Sequence, residues 1–128
     1  MREIATGNAP ESIGPYSQAV EANGFIFASG QGAIDPETGD IVEGDIRDET
    51  GRTFENIAAV LEEAGASTDD IVKATVFVTD MDDYEAVNEV YAEYTGEPFP
   101  ARSAVQVADL PVDIGVEIEV IAVAPDDE

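Results

Sequence analysis

The sequence contains no cysteine, no histidine and no tryptophan, and its bases are nearly as scarce. Without cysteine there is no disulfide, no thiolate nucleophile and no thiolate-held zinc or iron–sulfur centre. Without histidine the commonest proton carrier near neutral pH and the commonest metal ligand are gone, and with them every Ser–His or Cys–His nucleophile pair. Five Lys and Arg stand against 29 Asp and Glu, a formal net charge of −24. The five are Lys73, Arg2, Arg47, Arg52 and Arg102, scattered along the chain. A phosphate-binding face needs clustered cations to release counterions, so nucleic acid and anionic membranes are poor partners. No apolar run approaches the ~18 residues of a membrane span, and Met1-Arg2-Glu3-Ile4 begins no signal-peptide core. A soluble, cytoplasmic protein is expected.

What is present is one domain's worth of chain, residues 1–128, with 44% hydrophobic residues. A chain of this size buries roughly two-thirds of its unfolded surface. The acids form no single block; they are scattered, many of them between Glu37 and Glu97, with a short tail at Asp126-Asp127-Glu128. Self-repulsion among them opposes compaction, and molar salt, with a Debye length of about 3 Å, removes most of that penalty. The pattern therefore points to a surface suited to a halophilic cytoplasm. No Asp-x-Asp-x-Asp-Gly loop closed by a glutamate is present, which disfavours a calcium-binding surface.

Periodicity predicts the elements. Ile4-Ala5-Thr6 reads as a short edge strand. Tyr16 to Glu21 and Phe25 to Ser29 flank Asn23-Gly24, a hairpin turn signal. Apolar positions from Ile46 to Ala64 recur at helical spacing, so a helix is predicted from about Asp45 to Ala64, ended by Gly65. Asp70 to Thr79 reads as a strand with Val72, Ala74, Val76 and Val78 on one face. A second helix starts near Asp80 or Asp82, carries Tyr84, Val87, Val90, Tyr91 and Tyr94, and stops at Gly96 and Pro98. Arg102 to Ala108 and Gly115 to Val123 are final strands. The order βββαβαββ predicts an α+β two-layer sandwich, a mixed sheet with two helices on one face. The other sheet face carries apolar groups beside Glu117 and Glu119, which suggests packing between subunits.

Few residues suit chemistry. Arg102, at the start of an apolar strand, has the planar fork that grips a carboxylate; a salt bridge to one of the many acids is the plainer alternative. Glu117 alternates with Val116, Ile118 and Val120, surroundings that tune a carboxylate for proton transfer; an exposed acid beside Glu119 is the alternative. Tyr16 is either a core tyrosine or a ligand contact. Ser29-Gly30-Gln31-Gly32 ends a strand and turns, and Gly30 would admit a ligand close to the backbone. Asn88 lies near the edge of the second helix's apolar stripe, exposed or in contact with a ligand. Lys73 is placed for surface exposure more than for a Schiff base.

Several stretches together resemble the reactive-intermediate deaminase A family, also called the YjgF family. They are Ile4-Ala5-Thr6, Asn8-Ala9-Pro10, Ile13-Gly14-Pro15-Tyr16-Ser17-Gln18-Ala19, Ser29-Gly30-Gln31, Asp70 to Val78, Phe99-Pro100-Ala101-Arg102-Ser103 and Val116 to Ala122, in that order, and the likeness runs from Ile4 to about Pro125. The resemblance implies a chorismate-mutase-like fold and a homotrimer with clefts between subunits. It implies hydrolysis of 2-imino and 2-enamino acids to 2-oxo acids and ammonia, with no metal or organic cofactor. By position it implies that Arg102 clamps the substrate carboxylate and that Glu117 activates water. Tyr16, Ser29, Gly30 and Asn88 would line the cleft. Ala104 stands where many relatives have cysteine; its backbone N–H remains available to a carboxylate, while thiol-based regulation is lost. The competing expectations are a non-catalytic trimer that binds carboxylate metabolites as a regulator, a translation inhibitor or ribonuclease, and a holdase chaperone. Only catalysis needs Glu117. The charge balance and the missing histidine disfavour the ribonuclease.

Overall fold

A computed structural model describes residues 1–126; Asp127 and Glu128, which belong to the acidic tail, lie outside the described residues. The strands are β1 (Arg2–Ile4), β2 (Ala19–Ala22), β3 (Phe25–Gln31), β4 (Ile71–Val78), β5 (Ala101–Gln106) and β6 (Val116–Val123), and the helices are α1 (Ile46–Glu63) and α2 (Tyr84–Tyr94). The chain order is the expected βββαβαββ. The six strands form one sheet in the order β1-β2-β3-β6-β4-β5. Only β4 and β5 pair in parallel, joined through α2; every other pairing is antiparallel, so the sheet is mixed.

Local chemistry explains the boundaries. Asn23 (φ 53°) and Gly24 (φ 83°) both take the left-handed region, which is the backbone of a two-residue hairpin turn. Asp45 caps α1 by accepting from the amides of Arg47 and Asp48, and the Asp48 carboxylate accepts the Asp45 amide in return. These bonds, with that to Asp48 the strongest, hold the exposed Asp45 carboxyl below its ordinary pKa. Gly65 (φ 82°) follows the helix end as expected.

Several details differ from expectation. The first strand lies earlier, at Arg2–Ile4, and β2 starts only at Ala19. Residues 16–18 stay in a loop because Gln18, itself buried, spends its side chain on the backbone of Thr6 and Pro10. Strand β3 does not stop at Ser29; it continues through Gln31 across a bulge between Ala28 and Gln31. In β4 a second bulge makes Val72 the extra residue, since Ile71 pairs with Ala122 and Lys73 with Ile121. Ile71 therefore takes the core position, and Val72, expected in the core, is 42% exposed. A short 3-10 turn, Met81–Asp83, precedes α2, and β5 ends at Gln106 rather than Ala108.

Both helices pack on one face of the sheet. Phe54, Ile57, Val60 and Leu61 of α1 and Val87 of α2 are fully buried against Ile26, Val76, Val78, Ile118 and Ala122 of the sheet. Each such side chain contributes about 1.5–3 kcal/mol by leaving water. Phe54 also stacks on Tyr94, with ring centroids 4.9 Å apart, and meets Tyr91 edge-on. The opposite face carries no helix. Phe25, Phe27, Val105 and Val123 lie on it, each 41–43% exposed.

Candidate active site

Paired positions on neighbouring strands share a face, so the register assigns every side chain to one side of the sheet. Glu117 on central strand β6 pairs with Phe77, on the face without helices. Arg102 on edge strand β5 pairs with Ala74, which pairs in turn with Val120, on the helix-covered face. The two residues singled out for chemistry thus occupy opposite sides of one sheet.

Glu117 is half-buried in a cavity of about 330 Å³ whose walls include Tyr16, Gly30, Ile34, Pro111, Val112 and Ile114. Burial, helped by the nearby charge of Glu119, raises its pKa above the ordinary value. Gly30 runs directly against it: a Cβ there would lie 2.3 Å from Glu117 Oε2. The space freed by the missing side chain is filled by this carboxylate. Tyr16 is not a core residue; it is 53% exposed, and its hydroxyl accepts the Ile13 amide at 3.3 Å. Ser29 lies beside Tyr16 in an adjoining groove and donates its hydroxyl to the Ser17 carbonyl at 2.7 Å, which pins the Tyr16 loop to β3.

A residue the sequence reading missed braces this cavity from behind. Asn56 of α1 is fully buried and donates to the carbonyls of Gly32 (3.0 Å) and Ile34 (2.9 Å). Arg52, four residues earlier on the helix, donates twice to the Asn56 Oδ1. The signal was an asparagine at core spacing, three residues after Thr53 and four before Val60. A second tie joins the Glu49 carboxylate to the Gly115 amide at 2.7 Å, fixing the approach to β6.

Arg102 and Asn88 meet in a separate cavity of about 270 Å³, lined also by Tyr91, Ala92, Phe99 and Pro100. Arg102 donates to the Tyr84 hydroxyl at 2.7 Å, and its guanidinium carbon lies 4.8 Å from the Tyr91 ring centre. No carboxylate lies within ion-pair distance of it among the described residues, whereas Arg2, Arg47 and Arg52 pair with Glu21, Glu89 and Glu55. The salt bridge weighed for Arg102 does not form. Asn88 Oδ1 and the Tyr91 hydroxyl are buried here without a hydrogen-bond partner. Burial raises the Tyr91 pKa, against the opposing charge of Arg102. Ala104 lies on the Arg102 side, paired with Val76, and packs against the core. A larger groove of about 560 Å³ along Glu3, Thr6 and Pro36 offers acids and amides and no arginine. Among the described residues no cluster of three or more acids could hold a metal ion, and no helix is long and apolar enough to cross a membrane.

The chain is thus a two-layer α+β protein with a half-buried carboxylate in one cavity and, in another, a guanidinium without an acid partner among the described residues. The sequence profile described as endoribonuclease L-PSP matches residues 6–124, and the chain belongs to this family, which includes the YjgF-type deaminases. It is 56% identical over 123 residues to a RutC family protein of Pyrococcus horikoshii, covering 95% of this chain and 98% of that protein. It is 46% identical over 125 residues to the 2-iminobutanoate/2-iminopropanoate deaminase of Salmonella typhimurium, covering 95% and 97%. The crystal structure of Escherichia coli TdcF with bound serine superposes with a TM-score of 0.91 at 42% identity, covering 98% of this chain and all of that one.

Proposed function

We propose that this protein hydrolyses 2-imino and 2-enamino acids, 2-iminobutanoate and 2-iminopropanoate among them, to 2-oxo acids and ammonia, and so disposes of reactive metabolites. The observation that carries the reading is a guanidinium with no acid partner among the described residues together with a carboxylate pushed toward its protonated form. The relatives named as imine deaminases and the serine held by TdcF support the same ligand chemistry: a carboxylate with nitrogen on the adjacent carbon.

In a 2-imino acid the carboxylate and the imine carbon are directly bonded. One such molecule does not bridge opposite faces of one sheet, so we take the cleft to form between copies. The apolar, helix-free face supplies the surface for a trimer, with Phe25, Phe27 and Val105 buried against neighbours. Arg102 of one copy holds the substrate carboxylate by two parallel N–H bonds, and Glu117 of the next faces C2. Water adds to C2 of the protonated imine as Glu117 accepts a proton from it and delivers that proton to the nitrogen. The C–N bond then breaks as Glu117 takes the proton of the C2 hydroxyl, which becomes a carbonyl, and that proton passes to the departing ammonia, so that iminium and water give a 2-oxo acid and ammonium. A protonated imine is electrophilic enough to need no covalent nucleophile. Asn88, Tyr16, Ser29, Gly30 and the Ala104 amide line the cleft in this arrangement.

The ribonuclease named in the family description is disfavoured here, because a net charge of −24 repels a polyanion. The test is a coupled assay in which threonine dehydratase or an amino-acid oxidase generates the imine and semicarbazide traps what remains. Faster loss of trappable imine than in buffer is expected. No acceleration, with 2-oxobutanoate still bound, would leave a carboxylate-binding regulator as the correct reading.

A further inference from the structure

Among the described residues Arg102 has no carboxylate within ion-pair distance and donates instead to a neutral hydroxyl, in a chain with 29 acidic residues. A guanidinium on a long flexible stem needs something to fix it, and in the other three cases a carboxylate takes part, joined at Arg52 by the Asn56 amide oxygen. A carboxylate partner would also cancel the charge that an incoming carboxylate must meet. The Tyr84 phenol does the first without the second. It takes one N–H of Arg102 at 2.7 Å and leaves the remaining donors of the fork and the full positive charge available. The Tyr91 ring, 4.8 Å from the guanidinium carbon, supports the same placement by its negative face. Tyr84, Asn88 and Tyr91 fall at i, i+4 and i+7 on α2, so one helix face presents the phenol, the unpartnered amide oxygen and the ring to β5.

We infer that Tyr84 is a positioning residue for ligand binding, acting through Arg102: its hydroxyl holds the guanidinium in the carboxylate-accepting orientation while leaving it un-neutralised. This rests on the reading of Arg102 as the carboxylate anchor. Tyr84→Phe removes one oxygen and keeps the ring in place, so the fold is retained and the melting temperature stays within a few degrees of the parent.

The experiment is a double-mutant cycle on the full chain, read by calorimetric titration with 2-oxobutanoate and by the coupled assay. Tyr84→Phe should raise Kd and KM about tenfold, the worth of one charge-assisted hydrogen bond, and change kcat by less than about twofold. In an Arg102→Ala background the same substitution should change Kd no further, because the residue it acts through is gone. If Arg102→Ala binds as the parent does, the anchor reading fails. If Arg102→Ala loses binding while Tyr84→Phe matches the parent, or adds its full effect in the double variant, the anchor stands and the role given to Tyr84 is wrong.

Discussion

Arg102 and Glu117 lie on opposite faces of the same sheet, one on edge strand β5 and the other on central strand β6, with β4 between them. If one substrate needs both, they come from different copies. Two inactive variants should then complement each other. Equimolar Arg102→Ala and Glu117→Gln chains, unfolded together and refolded, would form clefts with an intact arginine from one chain and an intact glutamate from the other. Random assembly of a trimer restores about a quarter of the parental sites. Mixed assemblies, identified by native mass spectrometry, that stay as inactive as either variant alone would exclude the shared cleft.

The two variants should also differ when studied singly. Glu117→Gln should lower kcat at least a hundredfold while 2-oxobutanoate still binds, since proton transfer contributes about 10²–10⁴-fold and binding does not need it. Arg102→Ala should lose binding and turnover together. Parental turnover in Glu117→Gln would remove this carboxylate from the mechanism.

The raised pKa of Glu117 has consequences of definite sign. The folded chain keeps this proton to higher pH than the unfolded chain, so the ionised form opposes folding above the folded pKa. That opposition disappears once the pH falls below the ordinary value of 4.5. Glu117→Gln should therefore be more stable than the parent at neutral pH, with the gain vanishing toward about pH 4, as measured by denaturant melts across the range. The acidic limb of the kcat/KM profile should lie above 4.5, because the group must be ionised to accept a proton from water. A limb at or below that value would assign it to another group.

Gly30 makes room for the Glu117 carboxylate, and the contact is with the far end of a flexible side chain. Gly30→Ala should leave the fold standing and displace the carboxylate. A fall in kcat of about tenfold or more is expected for so large a shift at a reacting group. Gly7→Ala is the control, since a Cβ there meets nothing within 4 Å. Parental kcat in Gly30→Ala would show that the carboxylate need not sit against β3.

Much of this was legible in the sequence because period and burial agree. The stripe along α1 and the alternation along β6 each follow from a single face turned to the core, and Asn23-Gly24 encodes its turn by backbone sterics alone. Val72 was misplaced because a bulge adds one residue and shifts the period, and no residue type marks it. Asn56 and Gln18 were missed because their value lies in carbonyls far along the chain, which local spacing does not reveal. Arg102 and Glu117 stand out in the sequence as candidates, but their separation by the sheet depends on cross-strand register, which exists only once β4 lies between β5 and β6.

The charge of −24 yields the last prediction. Association of three such chains in the proposed trimer would bring like charges together, a repulsion that is long-ranged at low ionic strength. Raising salt from about 0.1 M to about 1 M shortens the Debye length from roughly 10 Å to roughly 3 Å and screens it. The melting temperature, the fraction assembled and the deaminase rate should rise together over that range. Sodium and potassium chloride should act alike, because screening depends on ionic strength rather than ion identity. Analytical ultracentrifugation with parallel assays would follow all of this in one titration. Full activity from a stable monomer at low salt would contradict both the charge argument and the cleft built from two chains.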